Sequence, residues 1–183
     1  ALLAKLLKNC DPLHKVSIIP RGMALGITLT LPEKDHLTMR KQQLLDRISM
    51  ILGGRVAEEL IYGKDNVTTG ASNDIEQATR LARAMITQYG MSEKLGYITF
   101  TGEDHEVFLG RDFSQGRNYS ESVASVIDEE IKRIVDECYA RCEKLLTDNR
   151  DKLDNVANAL IEHEKLDATE FEEVFEKINK KHK

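Results

Sequence analysis

A mainly α-helical fold, with a small β-hairpin or sheet near the N-terminus and a helical bundle at the C-terminus, is predicted by three features of this 183-residue sequence. Apolar side chains recur with a period near 3.6 residues over long stretches, most clearly from Ser120 onward. Two-residue alternation is confined to a short early segment, where Ile27, Leu29 and Leu31 interleave with Thr28 and Thr30. Glycine and proline fall mostly between the periodic stretches, the Gly53-Gly54 pair being the exception.

Taken in order, Leu2, Leu3, Leu6 and Leu7 form one helical stripe that stops before Asn9 and Pro12, as the tail of a helix would. Residues 15–20 and 26–31 read as two short strands around Arg21-Gly22. After a polar loop over residues 32–37, residues 38–62 predict a long helix: Leu44, Leu45, Ile48, Ile51, Leu52, Val56 and Leu60 recur, and Gly63 closes it. Within it Gly53-Gly54 costs about 1 kcal/mol per residue against Ala, which close approach of another backbone would offset. Arg55 and Glu59 are placed for an i, i+4 ion pair, with Glu58 on one flank. Residues 73–89 form the next helix, with Ile75, Ala78, Ala82 and Met85 inward and Gly90 as its stop.

Residues 91–119 are loop-rich, with one strand expected near residues 97–100. From Ser120 a stripe of Val123, Ile127, Ile131, Ile134, Cys138, Cys142 and Leu145 predicts about seven turns of helix. Leu153, Val156, Ala157, Leu160 and Ile161 mark another helix, and Asp167-x-x-Glu170 caps a last one carrying Phe171, Val174, Phe175 and Ile178. The organisation expected is one domain in two parts, residues 1–119 and a bundle over residues 120–183.

Composition narrows the function. Apolar residues at 41% and charged residues at 31% describe a soluble globular chain, without an apolar run near the roughly 20 residues needed to cross a bilayer. The net charge of −5, its acidic excess lying after Ser120, argues against a nucleic-acid ligand. There is no initiator Met, signal peptide or glycine-rich phosphate loop, so the chain reads as an excised piece of a longer protein. Three cysteines, with Cys138 and Cys142 four apart on one helical face, suit a reducing compartment; that pair reads as core packing ahead of metal binding.

The chemistry-bearing candidate is Asp74, behind the small-residue run Thr68-Thr69-Gly70-Ala71-Ser72-Asn73, in the first turn of a predicted helix. On the residues alone it is an acid favoured by the positive end of a helix dipole, and a role in chemistry stays open beside that. The histidines at 14, 36, 105, 163 and 182 stand far apart and form no metal-binding spacing.

Five blocks then coincide with one family. Asp11-Pro12-Leu13-His14-Lys15-Val16 with Ile19-Pro20-Arg21-Gly22, Gly53-Gly54-Arg55-Val56-Ala57-Glu58-Glu59, Thr69-Gly70-Ala71-Ser72-Asn73-Asp74, Met91-Ser92-Glu93-Lys94-Leu95-Gly96 and Val107-Phe108-Leu109-Gly110-Arg111 stand in the order of its signatures. The chain resembles the C-terminal peptidase domain of the FtsH-type membrane-anchored AAA+ zinc metalloproteases over nearly its full length. The resemblance implies a mostly helical zinc endopeptidase, one zinc per subunit, in a homohexamer acting on protein substrates. It also implies ATP and magnesium used by an upstream ATPase domain, and a parent in the bacterial inner membrane with this domain facing the cytoplasm.

In that family the Asp of the Ser-Asn-Asp block is the third protein ligand of zinc, which favours ligation by Asp74, and Glu58 is a candidate supporting acid. The family's His-Glu-x-x-His motif, carrying two zinc ligands and the general base, is expected immediately upstream of Ala1. The chain therefore holds no catalytic residue of its own and is expected to be inactive alone. The alternative is a non-catalytic helical oligomerisation module.

Overall fold

The computed structural model describes residues 1–20, 22, 26–32, 38–100 and 119–177. A short helix α1 (Leu2–Leu6) leads into strand β1 (Leu13–Ser17) and strand β2 (Ile27–Thr30). Helices α2 (Lys41–Tyr62) and α3 (Ser72–Thr87) follow, joined by two 3₁₀ turns at Lys64–Asn66 and Thr69–Ala71. Then come α4 (Glu121–Asp148), α5 (Arg150–His163), strand β3 (Lys165–Asp167) and α6 (Ala168–Glu176).

Helix boundaries follow the chemistry of their ends. Gln43 Oε1 reaches back to the Arg40 N–H at 2.8 Å at the start of α2, and Gly63 ends that helix at φ +82°, a conformation that penalises any Cβ. Ser120 Oγ accepts from Val123 N–H at the start of α4. Asp167 Oδ1 accepts from the N–H groups of Thr169 (2.8 Å) and Glu170 (2.9 Å), while Glu170 Oε2 accepts from Asp167 N–H, completing the capping box expected of Asp167 and Glu170.

Two apolar clusters share α2 and α4. One joins Leu44, Ile48 and Leu52 to Ala78, Ala82, Met85 and Ile86 of α3 and to Ile127, Ile131, Ile134 and Cys138 of α4. The other lies under the sheet, where Leu2, Leu3 and Val16 meet Val56, Cys142, Leu146, Leu166, Phe171 and Phe175. Fully buried Asp46 pins the two together: it accepts from Asn9 N–H (3.2 Å), Asn9 Nδ2 (2.9 Å), Gln42 Nε2 (2.9 Å) and Arg141 Nη1 (2.5 Å). Every hydrogen-bonding face of that buried carboxylate is thereby used, as a buried charge requires. Glu130, also buried, takes Ser92 Oγ at 2.9 Å and Arg133 Nε and Nη2 at 3.0 Å each, fastening the segment after α3 to α4.

The sheet has the order β2-β1-β3 with both pairings antiparallel. Its third strand is absent from the sequence reading because three residues are too few to show a period. The strand expected near residues 97–100 does not form. Both edges of β1 are already taken by β2 and β3, and Phe100 instead donates its N–H to Thr87 O at 2.8 Å and packs edge-on to Tyr119. Ile75, read as inward, is exposed, since the buried face of its helix starts at Ala78. Gly53 is approached by a side chain, not by a backbone: a Cβ there would lie 2.6 Å from Leu3 Cδ1. Ile178, the 107–111 block and His36, His105 and His182 lie outside the described residues.

Candidate functional site

Asp74 is the third residue of α3, and the structure gives its carboxylate no hydrogen bond and no ion pair among the described residues. Ala71, at the N-cap position, makes no side-chain bond, so Asp74 is exposed to the field of the helix end without being tied to its amides. Partial burial lifts its pKa above the usual carboxylate value. A Cβ at Gly54 would lie 3.7 Å from Asp74 Oδ2, so this position of α2 stands directly beside the carboxylate.

That space is part of an open cleft of about 740 Å³. Its lining draws on residues 1–3, on Gly26, Ile27 and Thr28 at the start of β2, on Met50, Ile51 and Ala57 of α2, and on Leu153, Val156 and Leu160 of α5. Asp74 is the acidic side chain in this mainly apolar lining, which also carries the hydroxyls of Ser17 and Thr28.

The segment before Asp74 is held by α2. Glu58 Oε1 accepts from Thr68 N–H at 2.9 Å, and Arg55 Nη2 donates to Thr68 O at 2.8 Å. Arg55 Nη1 also donates to Glu58 Oε2 at 3.2 Å. Hydrogen bonding from Thr68 keeps the Glu58 carboxyl below its ordinary pKa. The i, i+4 pair expected of Arg55 and Glu59 is therefore replaced by an i, i+3 pair, because the guanidinium turns to reach the Thr68 carbonyl; Glu59 instead accepts from the Tyr139 hydroxyl.

Among the described residues no group of three or more His, Cys, Asp and Glu side chains converges to hold a metal ion. Asp74 offers one oxygen donor of a kind zinc accepts, and a catalytic site needs three protein ligands, so the described residues alone do not retain the metal. His14 projects from β1 into solvent, and exposed His163 ends α5. Cys138 and Cys142 are buried in the core, where burial pushes the Cys142 thiol up to about 12. The sequence reading singled out Arg55 and the run from Thr68, but not the bond between them, since this contact joins segments that share no period.

A sequence model of peptidase family M41 matches residues 1–174. The chain is 57% identical over 175 residues to the ATP-dependent zinc metalloprotease FtsH 1 of Thermoanaerobacter sp. (strain X514), covering 96% of this chain and 28% of that protein. It is 55% identical over 168 residues to the ATP-dependent zinc metalloprotease FtsH of Myxococcus xanthus (strain DK1622), covering 92% and 26%. It thus spans about a quarter of the length of these relatives.

Proposed function

The chain belongs to peptidase family M41, and from that premise we propose that it is the part of an ATP-dependent zinc endopeptidase that supplies the third metal ligand, Asp74, and the peptide-binding wall of the active-site cleft. The observation that carries this reading is a partly buried carboxylate without a partner among the described residues, standing in a mainly apolar cleft. An acid placed only as a helix cap hydrogen-bonds the end amides, and Asp74 makes no such bond among the described residues.

The chain's own residues do three things in this reading. Asp74 brings a negative oxygen donor to the cleft, and the helix end behind it favours the ionised form that ligation needs. Glu58 acts as the supporting acid by fixing the Thr68 backbone. Edge strand β2 takes an extended substrate: its outer edge is unpaired among the described residues, and Gly26, Ile27 and Thr28 line the cleft. Zinc, when held there, supplies the Lewis acidity that polarises a scissile carbonyl and acidifies water. Two further ligands and the general base come, in this reading, from a His-Glu-x-x-His segment preceding Ala1, with residues 1–119 forming the zinc-site part and residues 120–183 the supporting bundle.

The reading extends to the whole protein through its relatives, whose names carry ATP dependence. ATP and magnesium are used in an ATPase portion outside this chain, the assembly is a homohexamer, the substrates are proteins, and the parent sits in a bacterial inner membrane with this part on the cytoplasmic side. No helix among the described residues is long and apolar enough to cross a membrane.

The test is zinc content and casein cleavage of this chain beside a form extended upstream by about 20 residues, each also as Asp74→Ala. Zinc and cleavage are expected only in the extended form and are lost with Asp74→Ala. Absence of zinc from both forms sinks the proposal in favour of an assembly module. Replacing Thr28 with Pro should abolish cleavage with zinc retained; undiminished cleavage would refute strand addition at β2.

A further inference from the structure

We propose that Arg55, with Glu58 as its counterpart, is a positioning residue that sets where Asp74 stands by gripping the backbone of Thr68. The inference rests on Asp74 being a metal ligand. Because nothing among the described residues bonds the Asp74 carboxylate, its position is fixed through the backbone, by where α3 begins. That beginning is fixed in turn by residues 67–71, which carry no buried side chain except Ala71.

Thr68 is held by both of its peptide polar groups at once. Arg55 Nη2 takes its carbonyl at 2.8 Å, Glu58 Oε1 takes its N–H at 2.9 Å, and Arg55 Nη1 joins Glu58 Oε2 at 3.2 Å. The three bonds form a closed ring in which the Arg55–Glu58 pair is partly buried and the two bonds to Thr68 lie at the surface. The ring's strength lies in its geometry, since one guanidinium and one carboxylate hold each other and both peptide groups of Thr68 at once. The grip passes onward: Thr68 Oγ1 accepts from Gly70 N–H at 3.2 Å and Ser72 Oγ donates to Thr69 O at 2.7 Å, which brings it to the first turn of α3, two residues before Asp74.

Both jaws belong to α2, the same helix whose Gly54 faces Asp74 Oδ2. One helix therefore both flanks the carboxylate and holds the start of the helix that carries it. A planar guanidinium can serve Thr68 O and Glu58 together, whereas a lysine ammonium on a flexible stem holds them in no fixed geometry. Residues that orient a ligand in this way alter metal affinity without touching the metal.

The test uses the native-length polypeptide as Arg55→Met, Arg55→Lys and Asp74→Ala. Zinc affinity is read by chelator competition, and hydrogen exchange of the metal-free protein is read by mass spectrometry over the 64–72 peptide, with α4 peptides as the control for folding. Arg55→Met is expected to speed exchange over residues 64–72 at least tenfold, to leave α4 unchanged and to weaken zinc binding about 10–100-fold. Arg55→Lys should fall between this variant and the native protein. If Arg55→Met also loosens α4, the Lys variant carries the comparison. Unchanged zinc affinity in both Arg55 variants, beside a loss in Asp74→Ala, overturns the positioning role alone; zinc affinity unchanged in Asp74→Ala overturns the ligand reading and this inference with it.

Discussion

Replacing each of the two adjacent glycines of α2 with alanine should give opposite results. In either position alanine removes a glycine from a helix interior, which by itself gains about 0.5–1 kcal/mol. At Gly54 the new methyl would lie 3.7 Å from Asp74 Oδ2, an ordinary contact distance, so nearly the whole gain should survive. At Gly53 it would lie 2.6 Å from Cδ1 of Leu3, which is only 3% exposed and packed in the core beneath the sheet. Leu3 would have to leave its rotamer or α1 move away from α2, and such overpacking costs about 1–3 kcal/mol. The net for Gly53→Ala is then a loss of about 0–2.5 kcal/mol, and the two variants should differ by about 1–3 kcal/mol, or about 2–12 °C in Tm for a chain of this size. Denaturant titration beside thermal melts reads this directly, and the shared chemistry of the substitutions cancels helix propensity from the comparison. If Gly53→Ala proved as stabilising as Gly54→Ala, the seating of α1 on α2 through Leu3 would be wrong.

Asp46→Ala should destabilise by about 2–4 kcal/mol in denaturant titration, since it strips the partner from Asn9, Gln42 and Arg141; the partial exposure of Arg141 limits the loss, and a change under 1 kcal/mol would refute the pin. Glu130 has its pKa lowered to about 2, chiefly by hydrogen bonds from Arg133. A depressed folded pKa means its stabilisation is complete above the ordinary value of 4.5 and drains away as pH falls toward 2, so melts between pH 6 and 2.5 should show a steeper acid loss in the native chain than in Glu130→Gln. Parallel slopes would rule that out. Asp167→Ala should cost about 1 kcal/mol and speed amide exchange at Thr169 and Glu170, whose N–H groups lose their acceptor; unaltered exchange there would contradict the cap.

The long helices were legible because burial of one face repeats at the helical period: Leu44, Ile48, Leu52 and Val56 in α2, and Ile127, Ile131, Ile134, Cys138 and Cys142 in α4, are all buried. Asp167 and Glu170 announced α6 because a capping box is a local device, complete within four residues. Strand β3 had no such signal, its place being decided by a partner far away in the chain. The same distinction separates the parts of the site. Asp74 could be singled out from its small-residue run and its helix position, whereas the grip of Arg55 on Thr68 depends on how the 63–71 segment folds back over α2, which spacing does not encode. The Arg55–Glu59 expectation failed for that reason: i, i+4 geometry describes an isolated helix, and a carbonyl from outside the helix competed for the guanidinium.

The central strand of the sheet has one early and one very late partner, and this orders events during synthesis. β1 can pair with β2 as soon as both have left the ribosome, but its other edge waits for residues 165–167; the bond from Ser17 Oγ to Glu164 O already spans 147 residues. Contacts so distant in sequence form slowly and late. Until then the nascent chain offers a bare strand edge beside exposed Ile18 and Ile19, a surface open to pairing with a neighbouring chain. A product truncated before Lys165 would keep that edge permanently, so premature termination late in the message should yield an aggregating chain rather than a merely shortened one.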